Sequence, residues 1–538
     1  MAIIIGSVIW WGISLYRYFT VPVPTYGGQY IEAFVGQPRY INPLLAHSSS
    51  TDRSLSQLIF SRLFDYNEDG ILQPDLVERF DVSDDAREYT IYLKKNVQWH
   101  DHQPFTADDV IYTTSVAQDI AYGAVGVSNE TRLLWQNVDV EKVDDFTVKF
   151  VLSEPNSMFL HNLNIGILPK HIWENISPEQ FQLSEFNQKP IGTGPYEFVD
   201  YDVDDNGISS YILRANKSYY DGEPYITRFT VNFYATRDEA VIAYHDGKVS
   251  GIIVDKKEHV DFLQSNAKKE SIELPHYFAV FFNQTKSVPL AYDEVREALS
   301  RATDREVIIG DVFGEDADMR RSPFAEGVVG YNADKQQTGF DREGANVLLE
   351  EKGWKKGDDG IRAKDGTRLS ITVHISANQP QSSLTAELLK EQWREVGAEV
   401  NIQEHEKDDL EKNIIQPRDY DAILYAHQMR FEPDLLPLWH SREKNDPGMN
   451  YALFSDKNMD EALDNFAKTK DINEQNSHYT AEQEALQKEV PAVFLFAPRI
   501  SFMHSDKIKG VNVHKVNVSY DRYTNVHKWF VKEKRIKK

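Results

Sequence analysis

WHDHQPFTADDVIYTT, residues 99–114, is the stretch on which the reading of this chain turns. His100 and His102 flank Asp101, and Asp108 and Asp109 follow closely, so either metal or acid–base chemistry, or scaffold, would account for the residue types. Thr106 and Asp109 have the T-x-x-D spacing of a capping box at the start of ADDVIYTTSVAQDI. There the threonine oxygen and the carboxylate satisfy orphan N–H groups at the positive end of a helix. Pro104 holds the residues before it in an extended turn. A metal would need a third ligand and an ordered second layer of partners. The stretch reads as scaffold, and no catalytic role or metal is assigned to it.

Strands and helices alternate on both sides of it, without a repeat or a low-complexity block. YTIYLKKNVQW (89–99) opens with the alternation of a half-buried strand. SLSQLIFSRLFDY (54–66) sets Leu55, Leu58, Ile59 and Leu63 at helical spacing, and EVREALSRATDREVIIGDVFG (294–314) does so with Val295, Ala298, Leu299 and Ala302. LTAELLKEQWREVGAEVNI (384–402) reads as a helix ended at Gly397 and then a strand. YDAILYA (420–426) reads as a short apolar strand. EDG (68–70), DDNG (204–207), DDG (358–360) and KDG (364–366) mark hairpins. The mixture predicts α/β layers in several lobes.

The 538 residues exceed one ordinary core, and 41% apolar with 12% aromatic content suits two or three packed domains. A formal charge of −25 argues against nucleic acid as a partner. An anionic ligand would need a local Arg or Lys. With no cysteine there is no disulfide, thiolate site, cysteine nucleophile or lipid-modified cysteine. From Ala2 to Tyr16 the sequence AIIIGSVIWWGISLY carries no charge, and Arg17 could snorkel, so residues 1–24 are expected to form a transmembrane anchor and linker. A cleaved signal peptide and a buried helix are the rival readings, but no small-x-small site follows. No Lys or Arg precedes the apolar run, so charge bias lends no support to export. VPVPTYGG (21–28) reads as linker, and KEKRIKK (532–538) as a solvated basic tail rather than a lipid-binding patch.

Other candidate motifs fall away. Asp202, Asp204, Asn206 and Gly207 match the early positions of a calcium loop, but Leu213 stands where a bidentate glutamate is needed, so a hairpin turn is expected. HEKDD (405–409) lacks the second histidine of H-E-x-x-H. GTGPY (192–196) is a turn, not a phosphate cradle. Acidic pairs are too many for spacing to nominate a glycosidase dyad.

One family accounts for these segments in order. The run 37–113, with ILQPDLVERF and WHDHQPFTADDV, resembles the N-terminal portion of extracellular solute-binding proteins of family 5, the peptide, dipeptide and nickel receptors of ABC importers. IGTGPYEF (191–198), YFAVFFNQTKSVPLAYDEVREALSRATDREVII (277–309), GWKKGDDGIRAKDGTRLSITV (353–373), YDAILYAHQMRFEPDLLPLWHS (420–441) and EVPAVFLFAP (489–498) continue the likeness, which covers about residues 28–530.

The resemblance implies an α/β type II periplasmic-binding-protein fold of two hinged lobes built from three domains, beyond the N-terminal transmembrane helix. Domain I would comprise 25–65, 190–277 and 495–530, domain II 66–189 and domain III 278–494, with a basic tail at 531–538. It implies an extracytoplasmic receptor, not an enzyme, without cofactor, usually monomeric. Such a receptor captures oligopeptides by lobe closure and hands them to a membrane permease. A non-peptide solute (nickel complex, haem, sugar), a sensing or chaperone role and, more distantly, a metal-dependent hydrolase are the alternatives. Carried over residue by residue, the ligand would meet Asn42, Pro43 and His47 on the first strand and its loop, and Tyr277, Phe281 and Asn283 on the crossing strand. It would also meet the loop Gln428, Met429, Arg430, Phe431, Glu432, Pro433, Asp434 and, after it, Trp439. Many peptide binders of the family carry an aspartate early in that loop, accepting the peptide's amino terminus. Arg430 stands roughly there, a departure that suits a ligand carboxylate instead; the plainer alternative is an ordinary loop.

Overall fold

The computed structural model describes residues 11, 15–264, 267–314, 316–326, 328–377 and 379–538. Three large sheets organise it. A seven-stranded sheet runs in the order Lys268–Ile272, Ile500–His504, Gly251–Val254, Gln29–Val35, Arg228–Tyr234, Gly207–Ala215, Tyr196–Asp204. Gln29–Val35 is parallel to both its neighbours. A four-stranded antiparallel sheet (Val77–Val82, Glu88–Leu93, Thr147–Leu152, Val138–Asp144) lies in the same lobe and shares one continuous apolar core with it. A six-stranded sheet builds the second lobe in the order Ala317–Met319, Ala492–Pro498, Tyr277–Phe282, Ala422–His427, Ser370–Ser376, Glu399–His405. Separate apolar clusters lie on its two sides. The chain passes directly between the seven- and six-stranded sheets at residues 273–276 and at Arg499.

Local chemistry explains the elements. Pro380 opens the helix Pro380–Glu395, which buries Ala386, Leu389 and Trp393. Each large buried side chain of this kind contributes roughly 1.5–3 kcal/mol. Gly397, at φ +88°, then turns the chain into Glu399–His405. All four turns read from the sequence join paired strands: Phe64–Tyr66 with Leu72–Pro74, Tyr196–Asp204 with Gly207–Ala215, and the small sheet formed by 355–356, 362–364 and 367–368. The calcium-like segment is such a hairpin, with the Asn206 N–H donating to Asp204 Oδ1 at 2.7 Å.

Two helices differ from expectation. The helix expected to run through Leu63 ends at Ile59, because the Gly194 N–H caps the Ile59 carbonyl at 2.8 Å. The GTG glycines are needed for that approach: a Cβ on Gly192 would stand 1.8 Å from the same carbonyl oxygen. The 294–314 segment is two helices, Asp293–Arg301 and Arg305–Phe313, the second capped by Asp304, whose carboxylate accepts the Val307 N–H at 3.2 Å. Arg305 is buried and donates to the Phe494, Ser300 and Thr303 carbonyls; desolvation lowers its pKa to about 9.

The chain ends also depart from the sequence reading. The anchor expected over 1–24 falls mostly on residues 1–10 and 12–14, which lie outside the described residues. Among the described residues no helix is long and apolar enough to cross a membrane. The expected linker and the expected free tail pair with each other: Thr20–Thr25 runs antiparallel to Lys532–Lys537, Thr20 opposite Lys537 and Thr25 opposite Lys532. Alternating Val and Pro with flanking Thr satisfies strand geometry once a partner edge is present, which no local pattern reveals.

Candidate functional site: the cleft between the lobes

The histidine-rich turn lies within the first lobe. The Asp109 carboxylate accepts the Thr106 N–H at 2.9 Å, the carboxylate half of the expected cap, and its other oxygen accepts the Lys170 N–H at 2.9 Å. His100 Nδ1 accepts the Gly192 N–H at 3.2 Å, and Nε2 lies 3.1 Å from the Gly194 carbonyl, which fixes a neutral ring with its proton on Nε2. Burial lowers the His100 pKa to about 4. His102 sits at φ +69° in the turn, and Asp101 pairs with His171 at 2.7 Å. Both nitrogens of His100 are therefore engaged. Among the described residues no three His, Asp or Glu side chains form a metal-holding group.

The loop after the strand Ala422–His427 does the opposite and reaches across the cleft. The Phe431 N–H donates to Asn517 Oδ1 at 2.9 Å, and Asn517 Nδ2 donates to the Gly70 carbonyl at 3.1 Å. The Phe431 ring lies against Gly70, where a Cβ would come within 2.3 Å of it. Gly70 thus serves its turn, at φ +74°, and makes room for this wedge from the other lobe. Glu432 Oε2 accepts the Leu72 N–H at 3.4 Å and stands 3.6 Å from His161 Nε2. His161 Nδ1 is 3.0 Å from the Tyr66 hydroxyl, the rings stacked at 5.9 Å. Farther out, Ser157 bonds the Phe466 and Ala467 carbonyls, and Lys470 pairs with Asp84 at 2.9 Å.

Arg430 is central to this arrangement. Its guanidinium is half-buried and, among the described residues, makes no hydrogen bond and no ion pair. Its charge is nevertheless felt on both sides of the cleft. Burial first, then Arg430, lowers the His161 pKa to about 3. Burial raises the Glu432 and Asp434 carboxyls, and Arg430 partly offsets this in both. Asp434 also accepts the Leu436 N–H at 3.1 Å, and near it Glu482 is buried with neither carboxylate oxygen hydrogen-bonded, which raises its pKa. Beside Asp434 an interlobe cavity of about 420 Å³ opens, lined from the first lobe by Leu134, Pro155 and Met158 and from the second by Leu436 and Phe466.

The other residues nominated from sequence are dispersed. Asn42 is buried, its Oδ1 accepting the Leu44 N–H in a turn, and Pro43 packs beside Gly166. His47 is exposed on the single turn Ala46–Ser48. Asn283 closes a turn in the second lobe through Thr285, Lys286 and the Arg418 carbonyl. Tyr277 is buried against His427 and Phe494 with its hydroxyl unpartnered. Phe281 and Trp439 pack on each other at 6.1 Å in the core of the second lobe. Met429 is buried and Gln428 exposed. Of the nominated set, Arg430, Phe431, Glu432 and Asp434 come together at the cleft. Tyr66, His161, Gly70 and Asn517 join them without having been nominated; of these, sequence marked only Gly70, and only as a turn.

Known proteins share this architecture. Residues 72–448 match the family model described as bacterial extracellular solute-binding proteins, family 5 Middle. The oligopeptide-binding protein AppA of Bacillus subtilis (strain 168) is 27% identical over 519 residues, 94% of this chain and 92% of its own. Its solved structure in complex with a nonapeptide superposes with a TM-score of 0.72 at 26% identity, covering 95% of this chain and all of that one. The ABC transporter substrate-binding protein CtaP of Listeria monocytogenes gives a TM-score of 0.80 at 25% identity, over 94% and 100% of the two chains. NikZ from Campylobacter jejuni, solved with Ni(L-His), gives 0.72 at 26% identity, over 93% and 99%. With a family match over most of its length and a two-lobed body superposing on these receptors end to end, the chain belongs to the bacterial extracellular solute-binding proteins of family 5.

Proposed function

We propose that this protein is the extracytoplasmic receptor of an ABC importer and captures short peptides in the cleft between its lobes, with Arg430 receiving a ligand carboxylate. The carrying observation is the Arg430 guanidinium, half-buried between the lobes near Glu432, Asp434 and His161 and, among the described residues, without a hydrogen bond or ion pair. A bidentate arginine–carboxylate pair suits that position, and an anionic group is what a body of net charge −25 would otherwise repel. Hinge motion about residues 273–276 and Arg499 would open the cleft, and the closed form, latched by Phe431, would dock on the permease. The soluble body would stand outside the cytoplasm, held by the apolar residues 2–16, and would work as a monomer.

Similarity to AppA, solved with a nonapeptide, supports the peptide reading. Similarity to NikZ, solved with Ni(L-His), supports a rival small chelate whose carboxylate would take the same arginine. Native mass spectrometry of the detergent-solubilised full chain, before and after denaturation, separates them. A ladder of short peptide masses is expected; a single non-peptide mass would overturn the peptide assignment. Titration with a recovered peptide, its C-terminal amide and its N-acetyl form tests Arg430. The amide should bind at least tenfold more weakly and the acetyl form nearly unchanged, and the reverse order would sink the carboxylate role.

A further inference from the structure

The pairing of Thr20–Thr25 with Lys532–Lys537 builds a strongly cationic element. Residues 532–538 carry a net charge of +4 in a chain of −25. In an antiparallel ribbon directly opposed residues share a face. The register therefore places Lys532, Lys534 and Ile536 on the same face as Thr25, Val23 and Val21, with Lys538 continuing it. Lys532, Lys534 and Ile536 are exposed, and among the described residues none of Lys532, Lys534 or Lys538 forms an ion pair within 4.0 Å.

A second, independent feature adjoins the end of the ribbon, with Tyr18 beside Lys538 and Tyr16 5.8 Å from Arg535, which the register turns to the opposite face. Residues 15–19 are helical and lead straight into the ribbon, with Tyr16, Tyr18 and Phe19 exposed by 54%, 69% and 56%. Arg535 ties the two together. Its guanidinium donates to the Arg17 and Thr20 carbonyls, at 3.2 and 2.7 Å, and to Thr20 Oγ1 at 2.8 Å, holding the end of that helix as a cation does. Lys538 lies 5.2 Å from the Tyr18 ring centre, and its N–H donates to the Phe19 carbonyl at 3.0 Å. Upstream, residues 2–14 are uncharged.

Exposed aromatics beside unpaired lysines, directly after an apolar run, match the three layers of a bilayer surface: hydrocarbon, interface and charged headgroups. We infer that the Thr20–Thr25/Lys532–Lys537 ribbon is a docking element for anionic phospholipid headgroups, which lays one defined side of the receptor on the membrane. An acidic body on an anionic surface would otherwise be pushed away, and the ribbon supplies a local field of opposite sign. This does not depend on what the cleft binds.

The test is partitioning of the full chain onto vesicles of pure phosphatidylcholine and of phosphatidylcholine with phosphatidylglycerol, at low and high salt. The wild type should bind the mixed vesicles more tightly, and the gain should vanish at high salt, where the Debye length shrinks to a few ångströms. Replacing Lys532, Lys534 and Lys538 together by Gln should lower partition onto mixed vesicles by roughly 100-fold, at about fivefold per cation, and leave phosphatidylcholine binding alone. Replacing the exposed Lys407 and Lys412 on the second lobe should change neither. Equal binding to both vesicle types, or a triple variant with wild-type thermal melting and undiminished preference for the anionic lipid, would overturn the proposal. The salt dependence of the wild type stands as a separate readout if the variant misfolds.

Discussion

The turn 99–106 and the loop 427–434 begin with similar material: charged and imidazole side chains, bulky aromatics, a proline. His100 in the turn and Asp109 just after it bond backbone groups of their own lobe, so neither ring nitrogen of His100 and neither oxygen of Asp109 is left over for a ligand. In the loop, Phe431 and Glu432 find partners in the opposite lobe and Arg430 finds none. Polar residue types do not mark a site; a charged group left unpaired where two lobes meet is the stronger sign. That rule can be broken by substitution.

The largest effect expected is on the scaffold side. Asp109→Ala would leave the part-buried Thr106 and Lys170 N–H groups without their carboxylate, at about 1–3 kcal/mol each, for a loss of about 3 kcal/mol by urea denaturation. Ligand affinity of the folded fraction should not change. If it falls along with stability, the turn belongs to the site and the comparison fails.

Arg430→Glu should act the other way round. It places a third acid beside Glu432 and Asp434 and removes the proposed anion receptor, so affinity should fall roughly 100-fold, about 2.7 kcal/mol. Arg430 has no hydrogen bond to lose, but its charge favours the ionised Glu432 and Asp434, so the unliganded chain should lose about 1–2 kcal/mol of stability, less than with Asp109→Ala. Calorimetric titration beside a denaturation curve reads both, and an unchanged affinity would make the loop ordinary.

Much of this was legible beforehand, for reasons that differ by scale. Hairpins at EDG, DDNG, DDG and KDG could be read because the glycine in each, at positions 70, 207, 360 and 366, takes a positive φ that local sequence alone dictates. The end of the helix at Ile59 could not, because its cap comes from Gly194, far along the chain. For the same reason Tyr66, His161 and Asn517 escaped notice: each is unremarkable until folding sets it opposite 430–432. Asn42 and Asn283 were nominated by position, yet their amides close local turns, a use that sequence cannot tell from ligand binding. The end-to-end ribbon was the least legible element, since its two strands lie at opposite ends of the chain.

His161 and His100 sharpen the contrast through pH. His161 is lowered from 6.5 to about 3 and His100 from 6.5 to about 4, both by burial first. A histidine held neutral in the folded state binds its proton only on unfolding. Stability is therefore full above pH 6.5 and is lost progressively as pH falls toward those values. At about pH 5.5 each should cost about 1.4 kcal/mol, so His161→Gln and His100→Gln should each flatten the acid limb of the stability curve. The two should part company in binding. Only the His161 substitution, beside Glu432 and Arg430, should alter the pH dependence of ligand affinity, and a matching change from His100→Gln would contradict its confinement to one lobe.

The smallest effect expected is none, and it tests the rule where residue types are most tempting. Asp202, Asp204 and Asn206 look like calcium ligands, but they too are used locally. Asp202 accepts the Ser210 hydroxyl at 2.6 Å and Asp204 the Asn206 N–H at 2.7 Å. The side chain at the twelfth position, Leu213, is fully buried in the apolar core rather than turned toward the loop. Calcium at about 1 mM, the weak end of protein loop affinities, should leave the melting temperature where it is, and Asp204→Asn should behave as wild type with or without it. A saturable rise with calcium that Asp204→Asn abolishes would show that local hydrogen bonds do not disqualify a cluster. The reading of the histidine turn, which rests on that same argument, would then have to be reopened with it.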